Sequence, residues 1–218
     1  MMMGISFNRG VFFHDRTYLA CAEIKQGVIH VWGEKITLRT IGKMWVRIMF
    51  TLPWYYQLIH LLLLGLVLFG AAEAWFNPLW LLVYAAGFHF VFPRQLKKFH
   101  GAEHKVFSYA GEKKLESWEA VRAANIVNDG CSTNSVTYFF LFMLVCLPFA
   151  GLEWSLIAGA TGMVAGFLFD KWLRRYLKPV YQLSGFLQKH ITCKEPDRAH
   201  LETAIRSYQM LLHIRSRG

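Results

Sequence analysis

The stretch VTYFFLFMLVCLPFAGLEWSLIAGATGMVAGFLFDKWL, Val136 to Leu173, decides how the rest of the chain is read. It is apolar almost throughout, with Glu153 in its middle and Asp170 and Lys171 near its end. A bilayer-spanning helix needs about 20 apolar residues. This run is too long for one such helix, and Gly151-Leu152-Glu153 reads as a turn inside it. The pattern predicts two spans, Val136–Ala150 and Trp154–Leu173.

Two further apolar runs lie upstream. One covers Trp54–Ala72, centred on LIHLLLLGLVLFGAA. The other covers Pro78–Phe92, is short, and can continue past Pro93 only at an angle, because proline kinks a helix. The expected fold class is therefore an α-helical polytopic membrane protein with about four transmembrane helices. Composition agrees: 55% of the 218 residues are hydrophobic and 17% charged, against about 25% charged in soluble domains.

The basic residues set the orientation. Seven precede the first run, from Arg9 to Arg47, and seven lie between the second and third, from Arg94 to Arg122. Nine follow Lys171, and the turns Glu73–Asn77 and Gly151–Glu153 carry none. Cations concentrate on the cytosolic side of membrane proteins, so both termini and the central loop are expected in the cytosol, with the chain multi-pass in the cytoplasmic membrane. The net charge of +10 is then explained by anionic headgroups. No nucleic-acid recognition motif is present, and the lipid bilayer is the expected partner.

Residues 1–38 read as a β-rich N-terminal domain. Thr17–Ile24 and Val28–Thr37 flank the turn Lys25-Gln26-Gly27, a β-hairpin signal. In 39–52, Arg39, Lys43 and Arg47 recur every four residues on one helical face, and Ile41, Trp45, Ile48 and Leu52 lie largely on another. That pattern predicts an amphipathic helix in the membrane interface. The four-span domain covers 53–176 and includes a cytosolic loop, 93–135. The tail 177–218 carries a cytosolic C-terminal helix whose apolar stripe is Leu201, Ala204, Ile205, Tyr208, Leu211 and Leu212. MMMGISFNRG lacks an apolar core and a cleavage site, so no signal peptide is expected. Cys21, Cys131, Cys146 and Cys193 form no CxxC pair and are expected as free thiols.

The chemistry concentrates in KKFHGAEHKVFSY, Lys97 to Tyr109. On a helix, His100 and His104 lie about 40° apart in azimuth and about 6 Å apart in rise, within reach of one metal ion. Imidazole nitrogens are normal zinc ligands, and in hydrolases with the His-x-x-Glu-His order the glutamate acts as general base on metal-bound water. Glu103 is the expected catalytic residue, and His100 and His104 the expected metal ligands. The competing reading is a polar segment at a membrane edge, and Gly101 weakens a helix. Cys131 leads the candidates for a third ligand, followed by Asp129. Cys193, Glu195 and His190 are weaker candidates. His60, His89 and Asp170 fall at a similar depth near the cytosolic ends of the runs, where polar groups can mark a cavity.

The run Phe99-His100-Gly101-Ala102-Glu103-His104-Lys105 resembles the signature of the YqhQ-like bacterial membrane family, a family of unknown function labelled as metal-dependent enzymes. Cys131 and Thr133 resemble its second signature. Ile191-Thr192-Cys193-Lys194-Glu195-Pro196, with Leu201, Glu202, Ala204 and Ile205, resembles its C-terminal one. The chain departs from that pattern at Asn128, Asp129 and Gly130, where the family has histidine, proline and arginine, and at Arg9, where it has glutamate. The resemblance implies a membrane-bound metal enzyme whose site is altered here. The expected function is a zinc-dependent integral membrane hydrolase, acting on a membrane protein, peptide or lipid headgroup at the cytosolic face. The alternative is a non-catalytic membrane adaptor or scaffold whose His/Cys cluster is structural. A transporter ranks below both, because no pair of broken half-helices repeats in the sequence.

Overall fold

The structure, a computed structural model, describes residues 2–70 and 80–217. In chain order the elements are β1 (Met3–Phe7), β2 (Gly10–His14), β3 (Tyr18–Lys25), β4 (Val28–Lys35), α1 (Leu38–Phe50), α2 (Trp54–Gly65), α3 (Trp80–Phe88), α4 (Arg94–Ser108), α5 (Trp118–Ala123), α6 (Thr133–Leu168), α7 (Asp170–Tyr176), α8 (Lys178–Leu187) and α9 (Arg198–Ser216). The chain divides into two units. The first takes Met1–Gln57, Pro93–Asn128 and Cys193–Gly218; the second takes Leu58–Phe92 and Asp129–Thr192.

The first unit is built on an antiparallel meander, β1-β2-β3-β4. The expected hairpin is its second half: Lys25 pairs with Val28 across Gln26 and Gly27, both at positive φ, as a tight two-residue turn requires. The two strands before it correct the hairpin expectation. Alternation along the strands splits the sheet's side chains between two cores. Val11, Phe13 and Ala20 face α4, α5 and α9, where they meet Phe99, Ala102, Val106, Val121, Leu201, Ala204, Ile205 and Leu211. Phe7, Phe12, Leu19 and Cys21 face α1, where they meet Trp32, Met44 and Ile48. The predicted tail helix is α9, and its stripe is buried except at Tyr208, which is half-buried, and Leu212, which is 44% exposed.

Helix α1 is seated by its charges. Thr37 caps it, accepting from Thr40 N at 3.2 Å. Lys43 pairs with Glu34 at 2.7 Å and Arg47 with buried Glu23 at 2.9 Å, while the Arg47 guanidinium lies 5.0 Å from the Trp32 ring centre. Two of the three cations expected to face headgroups therefore turn inward.

In the second unit, α6 runs as one assigned helix of 36 residues, but Gly151 within it has φ 70° and ψ 177°. Such a φ is strained for any residue with a Cβ. The chain reverses there: Gly159, Gly162 and Gly166 meet Met143, Phe142 and Tyr138 in antiparallel order. This is the break read at Gly151–Glu153. Asn134 Oδ1 accepts from Ser184 at 2.6 Å, tying α8 to the start of α6. His60 Nε2 lies 3.1 Å from the Tyr84 hydroxyl.

The expectation of about four transmembrane helices is overturned. Among the described residues one helical segment, Thr133–Leu168 taken whole across its break at Gly151, is long and apolar enough to cross a membrane, or two if the bent pair Leu38–Phe50 and Trp54–Phe69 counts as one span. Within the described residues Trp80–Val91 rises roughly 18 Å and Trp54–Phe69 roughly 24 Å, against a hydrocarbon core of about 30 Å. The second run also does not continue as an α-helix: His89–Val91 is a 3-10 turn, and α4 starts anew after Pro93. The expected turn Glu73–Asn77 and the adjoining ends of the first two runs lie outside the described residues.

Candidate metal centre

Helix α4 carries the site because its two faces do different work. Leu96, Phe99, Ala102 and Val106 are buried, and the last three join the core beneath the sheet. This leaves His100, Glu103 and His104 on an adjoining stripe. That stripe is not a surface. His100 is 7% exposed, Glu103 5% and His104 fully buried, which removes the reading of this segment as a polar membrane edge. The two imidazole centres stand 4.3 Å apart.

Three other segments of the first unit close over this stripe. From β1, the Ser6 hydroxyl donates to Glu103 Oε2, and Gly4 leaves the space that the Glu103 carboxylate fills. The same Oε2 lies 3.4 Å from His100 Nδ1. From the loop after α5, the Ile126 carbonyl lies 2.7 Å from His104 Nδ1. A carbonyl only accepts, so Nδ1 carries the proton and Nε2 the lone pair.

The third segment is the chain entering the tail. Cys193 is buried, with Sγ 3.5 Å from His104 Nδ1. Lys194 N–H donates to the Lys97 carbonyl at 3.0 Å. This approach explains Gly101: a methyl group there would collide with the Lys194 carbonyl oxygen. The glycine that weakens the helix on propensity is what lets the tail lie against it.

Lys105 fastens the assembly from the far side. Its buried ammonium donates to the carbonyls of Arg122 at 2.6 Å and Ala124 at 3.1 Å, and it pairs with Glu195 at 3.2 Å. Lys98 pairs with Asp197 at 2.5 Å and holds that carboxyl below the usual range. Burial, with the Lys194 ammonium nearby, pushes the Lys97 amine down. Burial likewise lowers the pKa of His200, whose Nε2 lies 2.8 Å from Gln95 Oε1.

One ligand atom from each of His100, His104 and Cys193 falls within 4.8 Å of the others. A zinc ion takes such donors in a tetrahedron, and His104 would offer Nε2, because its Nδ1 proton goes to the Ile126 carbonyl. The donor set is two imidazoles and a thiol, with His104 oriented by a carbonyl and His100 facing a carboxylate. That outer arrangement is the one metal-bound histidines use, and the residues fit a zinc or similar ion.

Of the residues expected from sequence, His100, Glu103 and His104 lie together in the first unit. Cys131, the favoured third ligand, belongs to the second unit, where its Sγ is 3.1 Å from Thr133 Oγ1, which is 2.8 Å from His89 Nε2. Asp129 pairs with Arg174 at 2.5 Å, Glu195 with Lys105, and His190 stacks on Phe186 at 4.6 Å. Cys193 was among the weaker candidates, and Ser6, Lys105 and the Ile126 carbonyl were missed. Only Cys193 left a trace, as a thiol in a short tract that Pro196 ends just before a helix.

The fold and site define a two-unit chain with a small antiparallel sheet, a longer helical part, and a buried His/His/Cys group able to hold a metal ion. The chain belongs to the protein family of unknown function DUF1385, whose model matches residues 28–214. No curated protein and no solved structure matches it.

Proposed function

We propose that this protein is a zinc-dependent hydrolase of the cytoplasmic membrane, acting at the cytosolic face on a peptide or lipid headgroup. One observation carries the reading: two histidines and a cysteine 89 residues further on converge, buried, beside a buried glutamate. His100, His104 and Cys193 would hold the ion and leave a tetrahedral position for water or substrate. Zinc supplies Lewis acidity and acidifies a water it holds. The Ser6 hydroxyl bond orients Glu103, whose carboxylate takes and returns a proton. The resemblance to the YqhQ-like family supports the same chemistry.

The metal part is tested by elemental mass spectrometry of the detergent-purified chain. About one zinc per chain is expected in the wild type and in Cys131→Ala, and little in His100→Ala or Cys193→Ala. Loss in Cys131→Ala with retention in Cys193→Ala would return the third ligand to Cys131. A wild type that binds no zinc even when supplied with it would end the reading.

The catalytic part is tested with Glu103→Gln, on an internally quenched peptide mixture and on headgroup-labelled phospholipid. Zinc content is expected to hold while turnover falls about 10²- to 10⁴-fold, the range of general acid–base catalysis. Undiminished turnover would remove Glu103 from that role.

A second reading, a structural clamp in a membrane adaptor, has its own support. The cluster draws on three separate stretches of the first unit: α4, the loop at Ile126 and the stretch that Cys193 opens. An ion there would hold those three stretches together. Four protein donors in the zinc absorption spectrum, with no hydrolysis of either probe, would favour the clamp.

A further inference from the structure

Helix α1 is amphipathic in an inverted sense. Its sheet-facing side carries Thr40, Lys43, Met44, Arg47 and Ile48, with both cations consumed by Glu34 and Glu23. Its outer side carries Leu38 at 89% exposure, Ile41 at 45%, Trp45 at 60% and Val46 at 52%. At 100° per residue these four fall within an arc of roughly 140°. A soluble domain keeps its polar side outward, so this outer face is built to be covered.

We infer that the outer face of α1 lies on the lipid bilayer, as an apolar platform that holds the sheet and its metal centre against the membrane surface. This rests on the membrane placement proposed above, and not on the zinc chemistry. The segment after α1 identifies the occupant. Within four residues the chain enters Trp54–Phe69, and Leu58, Ile59, Leu61, Leu62 and Leu64 there are all exposed. Their azimuths span roughly 220° of the helix. A second copy of the chain would cover one side of so wide an apolar arc, whereas lipid covers all of it. Trp45, Trp54 and Tyr55 are exposed at the junction, where amphipathic rings settle at headgroup level.

The test places a nitroxide label at Ile41→Cys or Trp45→Cys, with Ala120→Cys as the control. Ala120 is an exposed residue of α5, a helix that packs on the opposite side of the sheet from α1. Unsubstituted protein supplies the blank for the native thiols. The full chain is reconstituted in vesicles of phosphatidylethanolamine and phosphatidylglycerol, and collisions with oxygen and with a water-soluble nickel chelate are compared. At 41 and 45 the oxygen-to-nickel ratio is expected to rise several-fold over that at 120. Equal ratios at all three sites, in protein that stays with the vesicles, would overturn the inference and leave the membrane reading standing. Spin–spin broadening at 41 would overturn it in favour of a second copy. Protein that does not enter the vesicles would overturn both.

Discussion

Gly101→Ala is expected to lower both stability and the zinc affinity proposed above, although alanine is the better helix former. On propensity alone the substitution gains about 1 kcal/mol in a helix interior. Against it stands a backbone atom: the new methyl group meets the Lys194 carbonyl oxygen, with the Ile126 side chain close behind. Backbone cannot rotate aside as a side-chain tip can, and overpacking of this kind costs about 1–3 kcal/mol. The segment yields by lifting off α4, which breaks the bond from Lys194 N–H to Lys97 and withdraws Cys193. Zinc affinity is expected to fall by more than the roughly 10- to 100-fold typical of a lost outer-shell partner. Calorimetric zinc titration and thermal unfolding check the two parts. A Gly101→Ala protein that is more stable and binds zinc as well as wild type would show that the tail does not dock here.

Lys105→Met is expected to be the most damaging substitution outside the ligands. The chain volume is nearly kept, but the ammonium that satisfies the Arg122 and Ala124 carbonyls is gone. Each buried acceptor left without a donor costs about 1–3 kcal/mol. The pair with Glu195 adds little, because that carboxylate is 70% exposed and screened by solvent. The loop then loosens around Ile126, and His104 loses the carbonyl that fixes its proton. Stability is expected to drop by about 2–5 kcal/mol and zinc affinity by roughly 10- to 100-fold, read by chemical denaturation with and without zinc. Unchanged unfolding would mean that Lys105 leaves both carbonyls to water in solution.

Features encoded by neighbouring residues were legible in the sequence. The turn at Gln26-Gly27 sits between alternating strands, and the reversal at Gly151 interrupts an apolar run that outlasts one membrane crossing. The second strand was not legible, because Val11, Phe12 and Phe13 are all buried. A strand covered on both faces shows no alternation. The apolar runs were overcounted because hydropathy measures how apolar a segment is, not where its helix stops. Trp80–Val91 is apolar but ends at a 3-10 turn and Pro93. At the centre, His100 and His104 declare themselves by spacing on one helix. Cys193 reaches them through a tertiary contact that spacing cannot show, and the glycine that admits its segment, Gly101, reads on propensity as a flaw in the helix.

The separation of these ligands along the chain also orders events during synthesis. His104 leaves the ribosome 89 residues before Cys193, an interval of roughly 4–18 s at ordinary elongation rates of about 5–20 residues per second. Throughout that interval the α4 side of the sheet lacks Leu201, Ala204, Ile205 and Leu211, which complete its core. A nascent chain halted before Cys193 therefore presents two histidines, a glutamate and an uncovered apolar sheet face. The first unit closes only when its last segment arrives, so the complete His/His/Cys group exists only at the end of the protein's manufacture.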